Sequence, residues 1–345
     1  MLTSSAIYRI GLFFTIILTT GGALFSQQQI RIGIIGLDTS HAPAFAKLFN
    51  SESPSVHVVN QRVTHAFPGG SKDIDTSYSR VPEYTKQLAD MGIKIANSIE
   101  EMVPEVDAVL LLSLDGRKHL EQVAPLFNAN KPVFIDKPLG GSLAECIAIK
   151  KLADKQNARW FTSSSLRYSP EMIRYREDAN RQSSVLGAIS WGPCSLEKTH
   201  PDLFWYGIHG MEVLYTVMGT GCEQVTRVAT EDTDVAVGVW SNGRIGEFRG
   251  LRNGASGYGL VVFGKQAIEI GGKYDGYEPL VDRIGQFFRN KYDGVDPKES
   301  LELFAFMEAA DESKRQGGKP VSLKEVYSQA ELQADRIIVD LLKQN

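Results

Sequence analysis

Cysteine is scarce here: Cys146, Cys194 and Cys222 are the only three in 345 residues, too few for a disulfide framework and without the spacing of a zinc site. One bridge, Cys194 to Cys222, is the pairing to consider, against three buried thiols acting as small hydrophobes. Excess basic charge is also missing. A net charge of -4 and a pI near 5.9 leave no electrostatic footprint for phosphate backbones or an anionic membrane, so nucleic acid is not an expected partner. Internal repeats and low-complexity segments are absent as well. The only long apolar run is Ile10 to Phe25, uncharged, broken by Gly21 and Gly22 and ended by Ser26. It is short of the roughly 20 residues of a membrane span and has the layout of a signal peptide over residues 1–26. That layout predicts a secreted or periplasmic protein starting near Gln27, with no stable membrane insertion after cleavage; a retained N-terminal anchor is the alternative.

With 43% apolar and 23% charged residues, the chain is long enough for two domains with separate cores. From Ile30, short apolar runs alternate with helical segments: IRIGIIG, a helix near 42–50, VHVV, a helix near 83–91, IKIA, DAVLLLS, a helix over 117–128, PVFID, a helix over 143–156, and ARWFTSS. Apolar strands without alternation, separated by amphipathic helices, predict a doubly wound parallel sheet, a Rossmann-like α/β domain over 27–164. Ser142 and Glu145 form a capping box that fixes the start of the last helix. After about Arg167 the pattern changes to AISWGP, QVTRVAT, DVAVGVW, RIGEFRG and GLVVFG, with turns carrying Asn-Gly and other Gly, then to helices from Pro297 onward. A second α+β domain over 165–345, with an open and mostly antiparallel sheet, is expected. Residues 61–80 read as a long polar insertion after the second strand.

A dinucleotide fold usually carries G-x-G-x-x-G after its first strand, so that backbone amides can approach the diphosphate. Here the stretch is Gly36-Leu37-Asp38-Thr39-Ser40-His41. Only the first glycine remains, and a carboxylate at Asp38 would repel a diphosphate. Asn60, Gln61 and Arg62 follow the expected second strand where an acidic residue would mark NAD; Arg62 could favour the 2'-phosphate of NADP or lie on the surface.

Asp136-Lys137-Pro138 stands at a strand end, where ligands of such sheets lie, and a lysine there can help deprotonate a sugar hydroxyl. His209 and Glu212 share a helix face at three-residue spacing, so Glu212 could orient or charge the imidazole. A structural histidine is the plainer alternative, and a metal site from His200, His209 and Glu212 lacks regular ligand spacing. No metal is expected.

These features in this order resemble the Gfo/Idh/MocA family of oxidoreductases from about Arg31 to the C-terminus. VFIDKPLGGSLAECIAIKKLAD is similar to the family's Glu-Lys-Pro strand and helix, LRYSPEM to its Arg-aromatic-x-Pro segment, and FWYGIHGMEVLYTVMG to its Gly-x-His-x-x-Asp stretch. The resemblance implies Lys137 as the active-site lysine, His209 as the catalytic histidine supported by Glu212, and Ser113, Leu114, Asp115 and His119 along the nicotinamide side. It implies NAD or NADP held by Gly36, Asp38, Thr39, Ser40, His41 and Asp136. A sugar or glycoside would meet Arg167, Tyr168, His200, Trp205 and Tyr206. Trp205 stands where the family often has an Asp, and it can stack on a sugar but cannot take a proton. The expected activity is oxidation, or transient oxidation, of a sugar hydroxyl; the alternative is a carbohydrate-binding protein that has lost the nucleotide. A homo-oligomer is an expectation of the resemblance alone.

Overall fold

The computed structural model describes residues 28–344; the expected signal peptide and its export lie outside them. Six strands form a parallel sheet: β1 (Ile30–Ile35), β2 (Gln61–Phe67), β3 (Lys94–Ile95), β4 (Ala108–Leu111), β5 (Val133–Ile135) and β6 (Trp160–Thr162). Their order is β3-β2-β1-β4-β5-β6, the doubly wound arrangement. Every residue of β4, β5 and β6 is buried, as strands covered on both faces by helices must be.

Register places the mouth of the sheet. Ile35 pairs with Phe67 and Leu111, Leu111 with Ile135, and Ile135 with Thr162. The residues after them therefore emerge side by side at one edge: Gly36, Pro68-Gly69, Leu112-Ser113, Asp136-Lys137 and Ser163-Ser164.

The second strand is not where the sequence suggested. VHVV is a succession of turns, with Val56 82% exposed, and β2 begins at Gln61. Its β-branched residues favour a strand locally, but a strand must also pair, and the pairing goes to residues 61–67. Asn60, Gln61 and Arg62 thus sit at the far end of β2, and Pro68 takes the position after the strand. The insertion is correspondingly shorter, from Pro68 to Arg80.

Seven further strands, β7 (Val185–Pro193), β8 (Cys222–Ala229), β9 (Thr233–Trp240), β10 (Ile245–Leu251), β11 (Gly259–Gly264), β12 (Ile268–Gly271) and β13 (Val321–Ser322), form an open sheet in the order β12-β11-β7-β10-β9-β8-β13. Only β7 and β10 run parallel; the other pairs are antiparallel. The wholly buried helix Ile208–Met218 packs on β7 and β10, and Gly210 is required there because a Cβ would stand 2.3 Å from the Phe248 ring. Helix Leu143–Gln156 starts on the expected cap, with Ser142 Oγ accepting from Glu145 N–H. The C-terminal helix Leu323–Gln344 returns to pack on it, with Lys151 Nζ 2.7 Å from Asp335. A continuous apolar cluster runs through this junction from β4 to the helices of the second sheet. The three cysteines are buried free thiols, and no helix among the described residues is long and apolar enough to cross a membrane.

Candidate active site

Between the mouth of the parallel sheet and the second sheet lies a crevice of about 300 Å3. Thr39, Ser40 and His41 enter it from the start of the first helix, Lys137 from the end of β5, and Ser165 and Leu166 from the loop after β6. Tyr206 comes from the segment leading into helix Ile208–Met218 and His209 from its first turn, while Tyr258, in the loop before β11, and Tyr274 and Tyr277, in the loop after β12, close it.

Lys137 is only 7% exposed, and its ammonium lies 5.7 Å from the centre of the Tyr206 ring. Burial pushes its pKa below the usual lysine value, Asp136 opposes that shift, and Arg80 adds to it. Asp136 is saturated: one oxygen accepts from Lys137 N–H at 2.9 Å and the other meets His41 Nδ1 at 2.5 Å. Burial alone would raise the Asp136 pKa, but His41 and Lys137 outweigh it and hold the carboxylate ionised.

His209 has its Nδ1 2.8 Å from Ser164 Oγ, which leaves Nε2 for a ligand. Edge-on contacts with Tyr206 and Tyr258 fix the ring at centroid distances of 5.2 and 5.9 Å. Burial, reinforced by Lys137, holds its pKa well below that of free histidine, so the imidazole is neutral at pH 7.

Several expected site residues lie elsewhere. Glu212 does not orient His209; it accepts from Arg167 Nε, and Arg167 Nη1 reaches Glu299. Arg167, at 2% exposure, is committed to this buried pair of carboxylates and presents nothing to the crevice. Helical spacing put His209 and Glu212 together, but an arginine 45 residues away claims the carboxylate. Tyr168 is buried against Tyr292, and His200 and Trp205 pack on each other at 5.0 Å, with His200 Nε2 3.4 Å from Asp115. His119 is enclosed between the Ser113 and Leu139 carbonyls. Among the described residues no cluster of His, Cys, Asp or Glu could hold a metal ion.

The other half of the mouth is bound up in its own hydrogen bonds. Gly36 has φ +90° and lies under β4's exit so closely that a Cβ would stand 2.3 Å from Ser113 N, so only glycine fits. Leu37 N–H donates to Pro68 O at 2.7 Å. Asp38 is fully buried and accepts from Ser77 Oγ at 2.7 Å and from Leu114 N–H at 3.1 Å; burial raises its pKa and both donors oppose that. Ser71 Oγ donates to Asp115 at 2.6 Å, and Arg117 bridges Asp115 and Asp73. Burial alone would raise the Asp115 pKa, but Arg117 and Ser71 hold it below the usual carboxylate value.

Residues 30–164 match the Gfo/Idh/MocA oxidoreductase family, described by its NAD-binding Rossmann fold. The match covers the parallel-sheet part of the chain and leaves the second sheet outside it. No curated protein matches the chain. Among solved structures, a probable dehydrogenase from Thermotoga maritima is 20% identical with a TM-score of 0.69, over 86% of this chain and 100% of the other. Scyllo-inositol dehydrogenase from Lactobacillus casei, solved with NAD(H) and scyllo-inositol, is 14% identical with a TM-score of 0.70 over 86% and 100%. Myo-inositol 2-dehydrogenase from Lactobacillus plantarum is 16% identical with a TM-score of 0.69 over 86% and 99%. These likenesses show a shared fold that takes in the second sheet as well as the first.

The matched family is described by an NAD-binding Rossmann fold, and the mouth of this sheet does not fit a dinucleotide in the usual way. Dinucleotide folds lay the diphosphate on the loop after β1 and the ribose at the end of β2. Here the Leu37 amide is already bonded to Pro68, the place of the second glycine is filled by Asp38, and segment 68–80 is tied by Ser71, Asp73 and Ser77 to both loops. Sequence reasoning saw the missing glycines but not this replacement. It also missed Arg80, Tyr258, Tyr274 and Tyr277, which lie in loops and carry no local motif.

Proposed function

We propose that this chain is a sugar- or polyol-processing enzyme of the Gfo/Idh/MocA fold whose crevice works by proton transfer between substrate and His209 with Lys137 holding the substrate oxygen, without a dinucleotide laid across the mouth of the sheet. The observation that carries this reading is the division of the mouth: polar groups satisfy one another on the β1–β2 side, whereas Lys137 Nζ and His209 Nε2 face the crevice with no hydrogen-bond partner among the described residues. Tyr206, Tyr258, Tyr274 and Tyr277 offer apolar ring faces and phenolic hydroxyls, a lining suited to a polyhydroxylated ring.

The chemistry open to these residues is redox-neutral. A keto sugar whose carbonyl oxygen accepts a hydrogen bond from the Lys137 ammonium loses the proton on the adjacent carbon to His209 Nε2. The electron pair of that C–H bond moves to the oxygen as an enolate, which the ammonium stabilises. Exchange of the proton between the two oxygens of the enediol, followed by its return from His209 to the neighbouring carbon on the same face, isomerises the sugar. The low pKa of His209 keeps the imidazole unprotonated at neutral pH and favours return of the proton from it.

Incubation with keto sugars and keto polyols in D2O tests this directly: deuterium should enter the carbon beside the carbonyl, and Lys137→Ala or His209→Ala should abolish the exchange. Turnover that depends on added NAD or NADP, with no exchange in its absence, would reject it. A dehydrogenase acting on a sugar or glycoside hydroxyl is the second reading. It is favoured by the family match and by the NAD(H) and scyllo-inositol of one structural relative, and it requires segment 68–80 to leave the β2 edge.

A further inference from the structure

We infer that the part of the crevice framed by the start of the first helix, Arg80 and Lys137 is an anion subsite, and that the ligand is a sugar or polyol bearing one acidic group, a carboxylate or a phosphate monoester. The inference rests on the sugar or polyol reading above and names the substrate class within it.

The helix His41–Phe49 has no acidic residue in its first turn, and Ser40 makes no side-chain cap; its own first N–H groups are used locally, His41 N–H donating to Thr39 Oγ1 at 3.4 Å and Ala42 N–H to Thr39 O at 3.2 Å. Among the described residues, the N–H groups of Thr39 and Ser40, just before the helix, have no hydrogen-bond partner, and both residues line the crevice. Free amides before a helix are common by themselves. What makes this place a site is Lys137, more than nine-tenths buried, whose ammonium meets only the Tyr206 ring among the described residues. The nearest carboxylate, Asp136, has both oxygens occupied by His41 and by the Lys137 backbone.

Arg80 lines the same space, and its guanidinium forms no hydrogen bond or ion pair among the described residues. No Asp or Glu lines the crevice. Two unpaired cations and two free backbone amides therefore border one small volume, and Arg80 and Lys137 repel each other there. Such an arrangement is unfavourable when empty and becomes favourable with an anion between the charges. Segment 68–80 closes the way toward the β2 edge, where the rest of a dinucleotide would lie. The space of about 300 Å3 is at the small end of ligand pockets and suits a monosaccharide with a single charged group.

Titration calorimetry on the full chain, with D-glucuronate, D-glucose 6-phosphate, D-glucose and inorganic phosphate as probes, tests the subsite in the wild type and in Arg80→Gln. An acidic sugar should bind at least about tenfold more tightly than D-glucose, and Arg80→Gln should reduce that ratio about tenfold. Comparison of the two acidic sugars distinguishes carboxylate from phosphate. D-glucose binding as tightly as both acidic sugars, or an acidic preference unchanged in Arg80→Gln, would overturn the subsite and leave the sugar reading standing. Phosphate binding that is lost in Arg80→Gln, with no sugar of either charge binding, would keep the subsite and overturn the sugar reading. No binding by any probe would overturn both.

Discussion

The two halves of the sheet's mouth use similar residues to opposite ends. At the β1–β2 half, Asp38, Ser71, Ser77, Asp115 and Arg117 bind one another and the Leu114 amide. Facing the β5 exit, Lys137 Nζ, His209 Nε2, the Arg80 guanidinium and the Thr39 and Ser40 amides have no hydrogen-bond partner among the described residues. Buried polar groups are stable when paired and costly when not, so a saturated network marks structure and a cluster of unsatisfied groups marks a place for a ligand. The family match alone would assign the first half to a cofactor; the hydrogen bonds assign it to the chain's own segment 68–80.

The sharpest way to break this comparison is to substitute on the unsatisfied side. Lys137→Ala and His209→Ala should each lower turnover by about 10²–10⁴-fold while leaving sugar binding measurable. Stability of Lys137→Met should equal or exceed that of the wild type in urea unfolding, because a buried, unpaired ammonium is removed. A strongly destabilised Lys137→Met would mean the lysine has a structural partner. Arg167→Met serves as the opposite control, since breaking its buried pairing with Glu212 and Glu299 should cost about 3–5 kcal/mol in urea unfolding. A neutral result there would return Arg167 and Glu212 to the list of candidate functional residues.

Asp38→Gly restores a fingerprint glycine and should still bind no nucleotide, because segment 68–80 remains tied to Asp115 and Arg117. It should lose about 2–3 kcal/mol, as Ser77 Oγ–H and Leu114 N–H lose their shared acceptor. NAD binding by this variant, measured by calorimetry, would make Asp38 the sole obstacle. The smallest effect is that of pH. The folded protein keeps His209 neutral, whereas the unfolded chain takes up a proton below the ordinary histidine value of 6.5, so stability is lost as pH falls through that value. From pH 7.5 to 5.5 the wild type should lose up to about 1.4 kcal/mol more than His209→Gln; equal losses would mean that His209 is charged in the fold.

Most of the fold could be read from the sequence because its strongest signals are local or periodic. Apolar runs such as AVLL and VFI have little choice but a sheet covered on both faces, and Ser142 with Glu145 sets a helix start within a few residues. The second strand failed because VHVV and QRVTHAF both suit a pleated strand, and only pairing with β1 decides between them. In the site, Lys137, His209 and Tyr206 were legible from their position at strand and helix ends. Arg80 and the wall tyrosines were not, since long-range loop placement leaves no periodic trace. Glu212 was misassigned because same-face spacing on a helix says nothing about a competing guanidinium from another segment.

Native mass spectrometry of the purified chain, followed by denaturation and identification of anything released, tests most directly whether the crevice works without a dinucleotide. The expected spectrum shows the chain with no NAD(H) or NADP(H), and no mass shift when either is added. A stoichiometric nucleotide, released only on denaturation, would show that segment 68–80 yields its place and would make this protein a dehydrogenase of the family's ordinary kind.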